Sequence, residues 1–400
     1  MGARARAALP SPADLIRVRQ TSTLRLLSSL VAPGGVLVAA AWAVQHEDVV
    51  RAAAAPYAIY FCFGTLATAV LLSWYFDQAR LLCSAAAVVL TAWAFEQWPE
   101  AAHPARLASS VALPVTFVLL AALKESGVMT LAGVLKVGVV AAQAFGVLWL
   151  VERQITWSLP EWIPRAVFAG AAVALFALVF RRRTKVEQGL FWALIAAFLG
   201  VHASSSSPEM LLIYAGTAGL ILVFGVLELG YDIAYHDELT GLPGRRAFTN
   251  VARHLGGSYA IAVCDVDHFK QFNDTYGHDA GDRALRMVGA KLSEVGGGGQ
   301  TFRYGGEEFV IVFRGRSAGE AEPFAEFLCE TIAGVTLAPR AGTPLAGAAP
   351  IHISVSIGLA ERSKQHSTPE QVLDAADAAL YRAKEAGRNC VRLAETAAPA

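Results

Sequence analysis

Charge is scarce in this 400-residue chain. Asp, Glu, Lys and Arg make up only 16% of it, against about 25% in an ordinary soluble domain. The 33 basic and 33 acidic residues cancel to a formal net charge of +0. Without a global basic field, a nucleic-acid partner is excluded. Cysteine is sparse too: Cys62, Cys83, Cys264, Cys329 and Cys390 are scattered, with no CxxC or zinc-like spacing and no dense framework. That excludes a disulfide scaffold and leaves small buried hydrophobes in a reducing compartment. Gly296-Gly297-Gly298-Gly299 is not followed by Lys-Ser/Thr, so it is no phosphate-binding P-loop, and a flexible loop is expected there. What the chain does have is apolar bulk. It is 55% hydrophobic with a mean hydropathy of +0.44, which places part of it in lipid.

A helix that crosses a bilayer needs about 20 mostly apolar residues. Such runs occur at 26–45, 54–76, 80–98, 106–123, 128–151, 163–180, 188–203 and 209–229. Eight spans are counted. Seven is the alternative, since 188–203 is short and Glu96 interrupts 80–98. Arg4, Arg6, Arg17, Arg19 and Arg25 precede the first run, which is too long for a cleaved signal peptide and reads as a retained anchor. Lys and Arg near span ends stay in the cytoplasm. With the N-terminus inside, the inner segments hold those five arginines, Arg80, Lys124, Arg181, Arg182, Arg183 and Lys185, and the outer loops hold only Arg51, Arg106, Arg153 and Arg165. The C-terminus is then cytoplasmic, and the chain is expected to be a multi-pass membrane protein with the lipid bilayer as a partner. Lys136 lies inside the fifth span. It is either a functional intramembrane charge or a side chain snorkelling to the interface.

After Leu229 the composition changes abruptly and charged residues become frequent. No heptad pattern separates the last span from the charged C-terminal region. The pattern predicts strands at 258–266, 309–313, 351–359 and 389–393, and helices at 279–294, 320–333 and 370–385. Strands interleaved with helices in this order predict helices packed on a central, largely antiparallel sheet.

Four segments there carry chemistry. Asp265 and Asp267, two apart at a strand end, share a face and suit a hard cation such as Mg²⁺, or simply a solvated strand end. Gly305-Gly306-Glu307-Glu308 places two carboxylates beside a tight turn whose backbone a ligand can approach, or forms a hairpin with charged edges. Asn273 and Asp282, in the run Asn273-Asp274-Thr275-Tyr276-Gly277-His278-Asp279-Ala280-Gly281-Asp282, can read a guanine edge or serve turn and N-cap geometry. Lys384 and Arg388 lie four apart near a helix C-terminus, on one side. They clamp a polyphosphate or complement the helix dipole.

Taken together, these segments resemble the GGDEF family of diguanylate cyclases over about 237–391. The resemblance runs through Asp237-Glu238-Leu239-Thr240-Gly241-Leu242 with Arg245-Arg246, the DxD-x-FK run, Asn273-Asp274, Gly277-His278, Gly281-Asp282, the GGEEF run, Ser356-Ile357-Gly358 and the closing Tyr-x-Ala-Lys segment. It implies a nucleotide-cyclase-like α/β (α+β) domain that condenses two GTP into cyclic di-GMP with release of pyrophosphate. By that resemblance Asp265, Glu307 and the Val266 carbonyl hold Mg²⁺, or Mn²⁺ as the alternative. Gly305 and Gly306 let phosphates lie on the turn, and Glu307 or Glu308 activates the attacking 3′-hydroxyl. Asn273 and Asp282 read guanine, Lys270, Lys384 and Arg388 hold phosphates, and Phe269 and His278 shape the pocket. Each domain takes one GTP, so catalysis needs a homodimer.

Two features depart from the family pattern. Gly244 stands where an Asn is usual, a small structural cost. Gly296 and Gly299 stand where many members carry the Arg and Asp of an inhibitory product site, so that site is expected to be lost. The expected organisation is a basic cytoplasmic segment 1–25, an α-helical transmembrane sensory bundle 26–229 with an unknown sensory ligand, a junction 230–236, the GGDEF domain 237–394 and a disordered tail 395–400. A non-catalytic receptor that keeps the fold is disfavoured because neither GGEEF carboxylate is lost. A transporter with a regulatory appendage is disfavoured because the spans hold almost no interior charge and no convincing repeat.

Overall fold

The structure, a computed structural model, describes residues 31–98, 104–153, 160, 162–182, 184–204, 207–337 and 351–395. The basic segment 1–25, span residues 26–30, Arg183 and tail residues 396–400 lie outside that set. The chain divides into two compact units, Met1–Gly230 and Tyr231–Ala400.

The first unit is all helical: α1 (Gly34–His46), α2 (Asp48–Ala54), α3 (Ala58–Tyr75), α4 (Ala79–Gln97), α5 (Pro104–Ala122), α6 (Leu131–Glu152), α7 (Trp162–Arg182), α8 (Lys185–Ala203) and α9 (Pro208–Tyr235). Helix is found at each of the eight apolar runs. Among the described residues, six segments are long and apolar enough to cross a membrane: 48–75, 79–97, 131–150, 162–182, 185–203 and 208–235. The apolar stretch of α5, Arg106–Ala122, is shorter. The α9 helix is the most deeply buried of them. Its Gly216 and Gly219 let α3 approach, since a Cβ there would lie 2.5 Å from Phe61 and 2.8 Å from Thr65 Oγ1. Small residues at such crossings are how apolar helices gain contact where lipid offers no hydrophobic drive.

Charge inside this unit is more extensive than the sequence suggested. Lys136 is fully buried and donates from Nζ to Ser126 Oγ, in the segment between α5 and α6, at 2.5 Å. Arg80, also buried, donates from Nε to Glu125 Oε2 (2.8 Å) and from Nη1 to Glu187 Oε1 (2.9 Å). Arg182 donates from Nη1 to the same Glu187 oxygen at 3.1 Å and to the Ala121 carbonyl at 2.6 Å. Buried charges persist only when paired in this way.

The second unit holds α10 (Arg245–Arg253), β1 (Tyr259–Val266), α11 (Phe269–Tyr276), α12 (His278–Ser293), β2 (Gly299–Arg303), β3 (Glu308–Arg314), α13 (Ala318–Ala333), β4 (Thr336–Leu337), β5 (Ile351–His352), β6 (Val355–Glu361), α14 (Pro369–Glu385) and β7 (Val391–Leu393). The main sheet runs β2-β3-β1-β6-β7, and β4 pairs with β5 separately. Every pairing in the main sheet is antiparallel except β6 with β7. The predicted 351–359 strand is two strands, because 351–352 pairs with β4 and only 355–361 joins the main sheet. Alternate β1 residues feed opposite cores. Ala260, Ala262 and Cys264 lie in a cluster with residues of α12 and α13, while Ile261 and Val263 lie in one with residues of α10 and α14. All five cysteines are free, and four of them are buried.

Candidate active site

The central strand β1 carries its carboxylate to the C-terminal end of the sheet. Asp265 stands opposite Glu308 of β3 and Ser356 of β6. It is 5% exposed, and burial, reinforced by Asp267 and Asp377, raises its carboxyl above the usual range although Lys384 opposes this. Lys384 Nζ lies 2.9 Å from Asp265 Oδ1. The approach of α14 depends on Gly358 in β6: a Cβ there would fall 2.0 Å from the Ala376 carbonyl and 2.1 Å from Leu380 N. Without that glycine the helix backbone could not lie on the strand, and Lys384 could not reach Asp265.

Asp267 shares the strand-end face but is engaged in structural hydrogen bonds. It accepts from Ser354 Oγ (2.6 Å), Ser356 Oγ (2.7 Å) and the Asn389 amide (3.1 Å). It fastens the strand ends together. Of the two aspartates, Asp265 faces the site.

The β2–β3 turn carries the second carboxylate. Tyr304 N and Gly305 N both donate to the Glu308 carbonyl, at 2.8 and 3.2 Å. A Cβ on Gly305 would sit 2.6 Å from Glu308 Oε2, whereas one on Gly306 would meet nothing within 4 Å. A side chain at Gly305 would displace the Glu308 carboxylate, and the space over Gly306 is open. Glu307 is half-buried. Burial first, then the charges of Asp265 and Glu308, push its carboxyl up against the opposing pull of Lys384. The Glu307 carbonyl accepts from Val266 N at 3.3 Å, joining the turn to the end of β1.

The turn is also held by a tie that the local motifs do not announce. Arg303 donates from Nη2 to the Gly306 carbonyl (2.6 Å) and from Nη1 to Asp237 Oδ1 (2.7 Å). Asp237 is itself fixed by Thr240 N (2.8 Å) and Thr240 Oγ1 (2.7 Å). Burial tends to raise its carboxyl, but Arg303 and Thr240 outweigh this and hold it below the ordinary range. Gly244 caps α10 with no side-chain bond, and its amide donates to the Tyr235 carbonyl at 2.7 Å.

The proposed base-reading pair lies on α11 and α12. Asn273 Oδ1 is buried with no hydrogen-bond partner, and an orphaned acceptor is costly unless something donates to it. Gly281 exists for this side chain, since a Cβ would fall 1.9 Å from that oxygen. Asp282, the next residue, is half-exposed, 3.9 Å from Arg286. Gly277, at φ +83°, makes the left-handed turn between the two helices. Phe269 is a core residue stacked on Phe272, 6.3 Å between centroids. Lys270 and His278 are exposed.

Two expectations fail geometrically. Arg388 is not on the helix face of Lys384, because α14 ends at Glu385 and Gly387 (φ +108°) and Arg388 (φ +65°) are both left-handed. Spacing of four implies one face only while the helix lasts. The tetraglycine is no loose loop. Gly297 and Gly298 adopt φ of +67° and +75°, Arg316 Nε donates to the Gly297 carbonyl at 2.6 Å, and Gly299 opens β2. A Cβ at Gly296 or Gly297 would lie 2.9 or 2.6 Å from the Phe324 ring.

Among the described residues no group of three or more His, Cys, Asp and Glu side chains is set to hold a metal ion. The donor set at the turn is two carboxylates and backbone oxygen. That suits a cation that brings its remaining ligands with a phosphate substrate, and the Lys384 ammonium already stands as a cation against Asp265.

The Asp265–Lys384 pair, the Gly-Gly turn with its two carboxylates and the orphaned Asn273 oxygen lie on one stretch of the chain. Residues 234–390 match the family described as "Diguanylate cyclase, GGDEF domain", so this segment of the chain is a GGDEF domain. It is 34% identical over 173 residues to the response regulator PleD of Caulobacter vibrioides, which covers 41% of this chain and 37% of that protein. It is 36% identical over 162 residues to the diguanylate cyclase VdcA of Vibrio cholerae (40% and 46%), and 36% over 171 residues to the diguanylate cyclase DgcS of Shewanella oneidensis (41% and 54%). The chain thus spans about half or less of these relatives' lengths.

Proposed function

We propose that the protein is a membrane-bound diguanylate cyclase that condenses two GTP into cyclic di-GMP, its catalytic domain in the cytoplasm and its helical bundle acting as sensor. The observation that carries the catalytic reading is the meeting of Asp265, Lys384 and the Glu307 turn at one end of the sheet. The relatives' names support it. In each half-reaction a GTP 3′-hydroxyl attacks the α-phosphorus of the GTP on a second copy of the domain. The new P–O bond forms, the bond to the β-phosphate oxygen breaks, pyrophosphate leaves, and Glu307 or Glu308 takes the hydroxyl proton. Asp265, Glu307 and the Val266 carbonyl are the residues that would hold Mg²⁺ (or Mn²⁺), which when bound neutralises the charge developing on the phosphates. Lys384, released from Asp265, Lys270 and Arg388 hold phosphate oxygens, which lie over the open space at Gly306. Asn273 and Asp282 take the guanine edge, its N–H groups supplying the partner Asn273 Oδ1 lacks.

For the bundle, the support is the six long apolar helices and the arginine asymmetry of the sequence. Eight spans with both termini inside remain the reading for it. The catalytic test is Glu307→Ala. Cyclic di-GMP formation from GTP should vanish while the circular dichroism spectrum is kept, and undiminished turnover would remove the assignment.

A further inference from the structure

Arginine at the start of a helix works against the helix dipole, yet α10 opens on two of them, Arg245 and Arg246. Its first turn holds no acidic residue, and its glycine cap makes no side-chain bond. Arg245 is exposed, and its guanidinium lies 4.7 Å from the centroid of the Tyr304 ring. Phe248, one turn further along α10, meets Tyr304 edge-on at 5.6 Å and 86° and so holds that ring in turn. Among the described residues no carboxylate or hydrogen-bond acceptor meets the Arg245 guanidinium. Its five donors are oriented by an aromatic face and left open. Tyr304 immediately precedes Gly305 and Gly306.

The ring under Arg245 lies on the same face of the sheet as the buried carboxylate. Tyr304 packs against the cluster that holds Phe248, Ile261 and Val263, and Asp265 follows the last two by alternation along β1. Glu308 stands opposite Asp265 and shares that face. The strand order β2-β3-β1-β6 puts Arg245 on the β2 side and Lys384, carried by α14 over β6, on the other, with Asp265 and Glu308 between them. Strands β2 and β1 are about 10 Å apart at the ordinary spacing, a distance that a chain of phosphates spans and a single phosphate does not. We propose that Arg245 is a further substrate contact, holding the outer phosphates of GTP at the Gly305–Gly306 turn from the side opposite Lys384, with Tyr304 as its positioning residue. The inference rests on the GTP-site reading above. Paired donors in one plane match two phosphate oxygens, and a cation there offsets the repulsion that Glu307 and Glu308 present to a polyphosphate.

The probes are GMP and a GTP analogue with a methylene between its α- and β-phosphates, from which pyrophosphate cannot leave. Full-length protein in phosphatidylcholine nanodiscs is titrated calorimetrically with each in the presence of Mg²⁺. Arg245→Gln, an exposed change that leaves the core intact, should weaken the triphosphate analogue at least about tenfold and GMP by less than about twofold. Tyr304→Leu, which keeps the charge but removes the ring beneath it, should also weaken the analogue selectively, and Tyr304→Phe should bind as wild type does. Equal binding of the analogue by Arg245→Gln and wild type would overturn the proposal. So would an equal loss for GMP and the analogue, which would mark damage to the fold or the base pocket. The two readings fail separately. GTP turnover with Arg245→Gln binding unchanged refutes the contact and leaves the cyclase reading; selective loss of the analogue in a protein that makes no cyclic di-GMP does the reverse.

Discussion

The tie between Asp237 and Arg303 joins the start of the second unit to the β2–β3 turn. The Asp237 Oδ1 atom accepts from Arg303 Nη1 (2.7 Å), Thr240 N (2.8 Å) and Thr240 Oγ1 (2.7 Å). The two side chains are 25% and 12% exposed, so solvent screening is partial. A hydrogen bond to a charged group contributes about 1.5–3 kcal/mol. Asp237→Ala removes three such acceptor contacts, though Thr240 recovers water, and should cost roughly 2–4 kcal/mol. Arg303→Met also releases the Gly306 carbonyl and should cost about as much. The two losses should not add, because both remove the same ion pair. A double-mutant cycle by urea unfolding of residues 231–400 should give a coupling energy of about 1.5–3 kcal/mol. The pH dependence has a fixed sign. The folded Asp237 carboxyl lies below its ordinary value, so the stabilisation is complete above the unfolded value of about 3.9. It is lost as pH falls from there through the lower folded value. Asp237→Ala should lack that acid-side loss. A coupling below about 0.5 kcal/mol, typical of an exposed pair, would refute the argument.

Two further outcomes follow from the glycines. Gly281→Ala places a methyl 1.9 Å from Asn273 Oδ1, so the amide must turn aside; KM for GTP should rise by about tenfold with kcat little changed, and an unaltered KM would remove Asn273 from base recognition. Added cyclic di-GMP should slow the enzyme only in competition with GTP, because Phe324 crowds Gly296 and both Phe313 and Val295 crowd Gly299; non-competitive inhibition in progress curves would show that a product site survives there.

Much of the catalytic unit is legible in the sequence because its signals are local. The order of strands and helices and the carboxylate turn follow from alternation and short motifs, and the structure places Asp265 and Glu307 at one end of the sheet. Two helices start earlier than periodicity predicts, at Ala318 instead of 320 and at Pro369 instead of 370. The signals are present: Ser317 with Glu320, and Thr368 with Gln371, each form a reciprocal capping box. Two short elements escape for opposite reasons. The α10 helix begins after Gly244, which gives no capping signal. The β2 strand begins inside the tetraglycine, where composition argues for a loop although Thr301 and Phe302 are buried.

What escapes within the site is long-range or conformational. Arg303 and Asp237 are 66 positions apart, Asp265 and Lys384 still farther, and no periodicity announces that they meet. Gly358 reads as a motif residue, yet its reason is the backbone of another element 2.0 Å from where its Cβ would be. The tetraglycine misleads in the opposite sense. Flexibility is a property of glycine in a free chain, but Gly297 and Gly298 use the same freedom to hold two left-handed residues in succession, and Phe324 and Arg316 cover the turn they make. Composition shows that a segment can bend. Whether it is then held depends on partners elsewhere in the chain, here residues 19 to 27 positions downstream of Gly297.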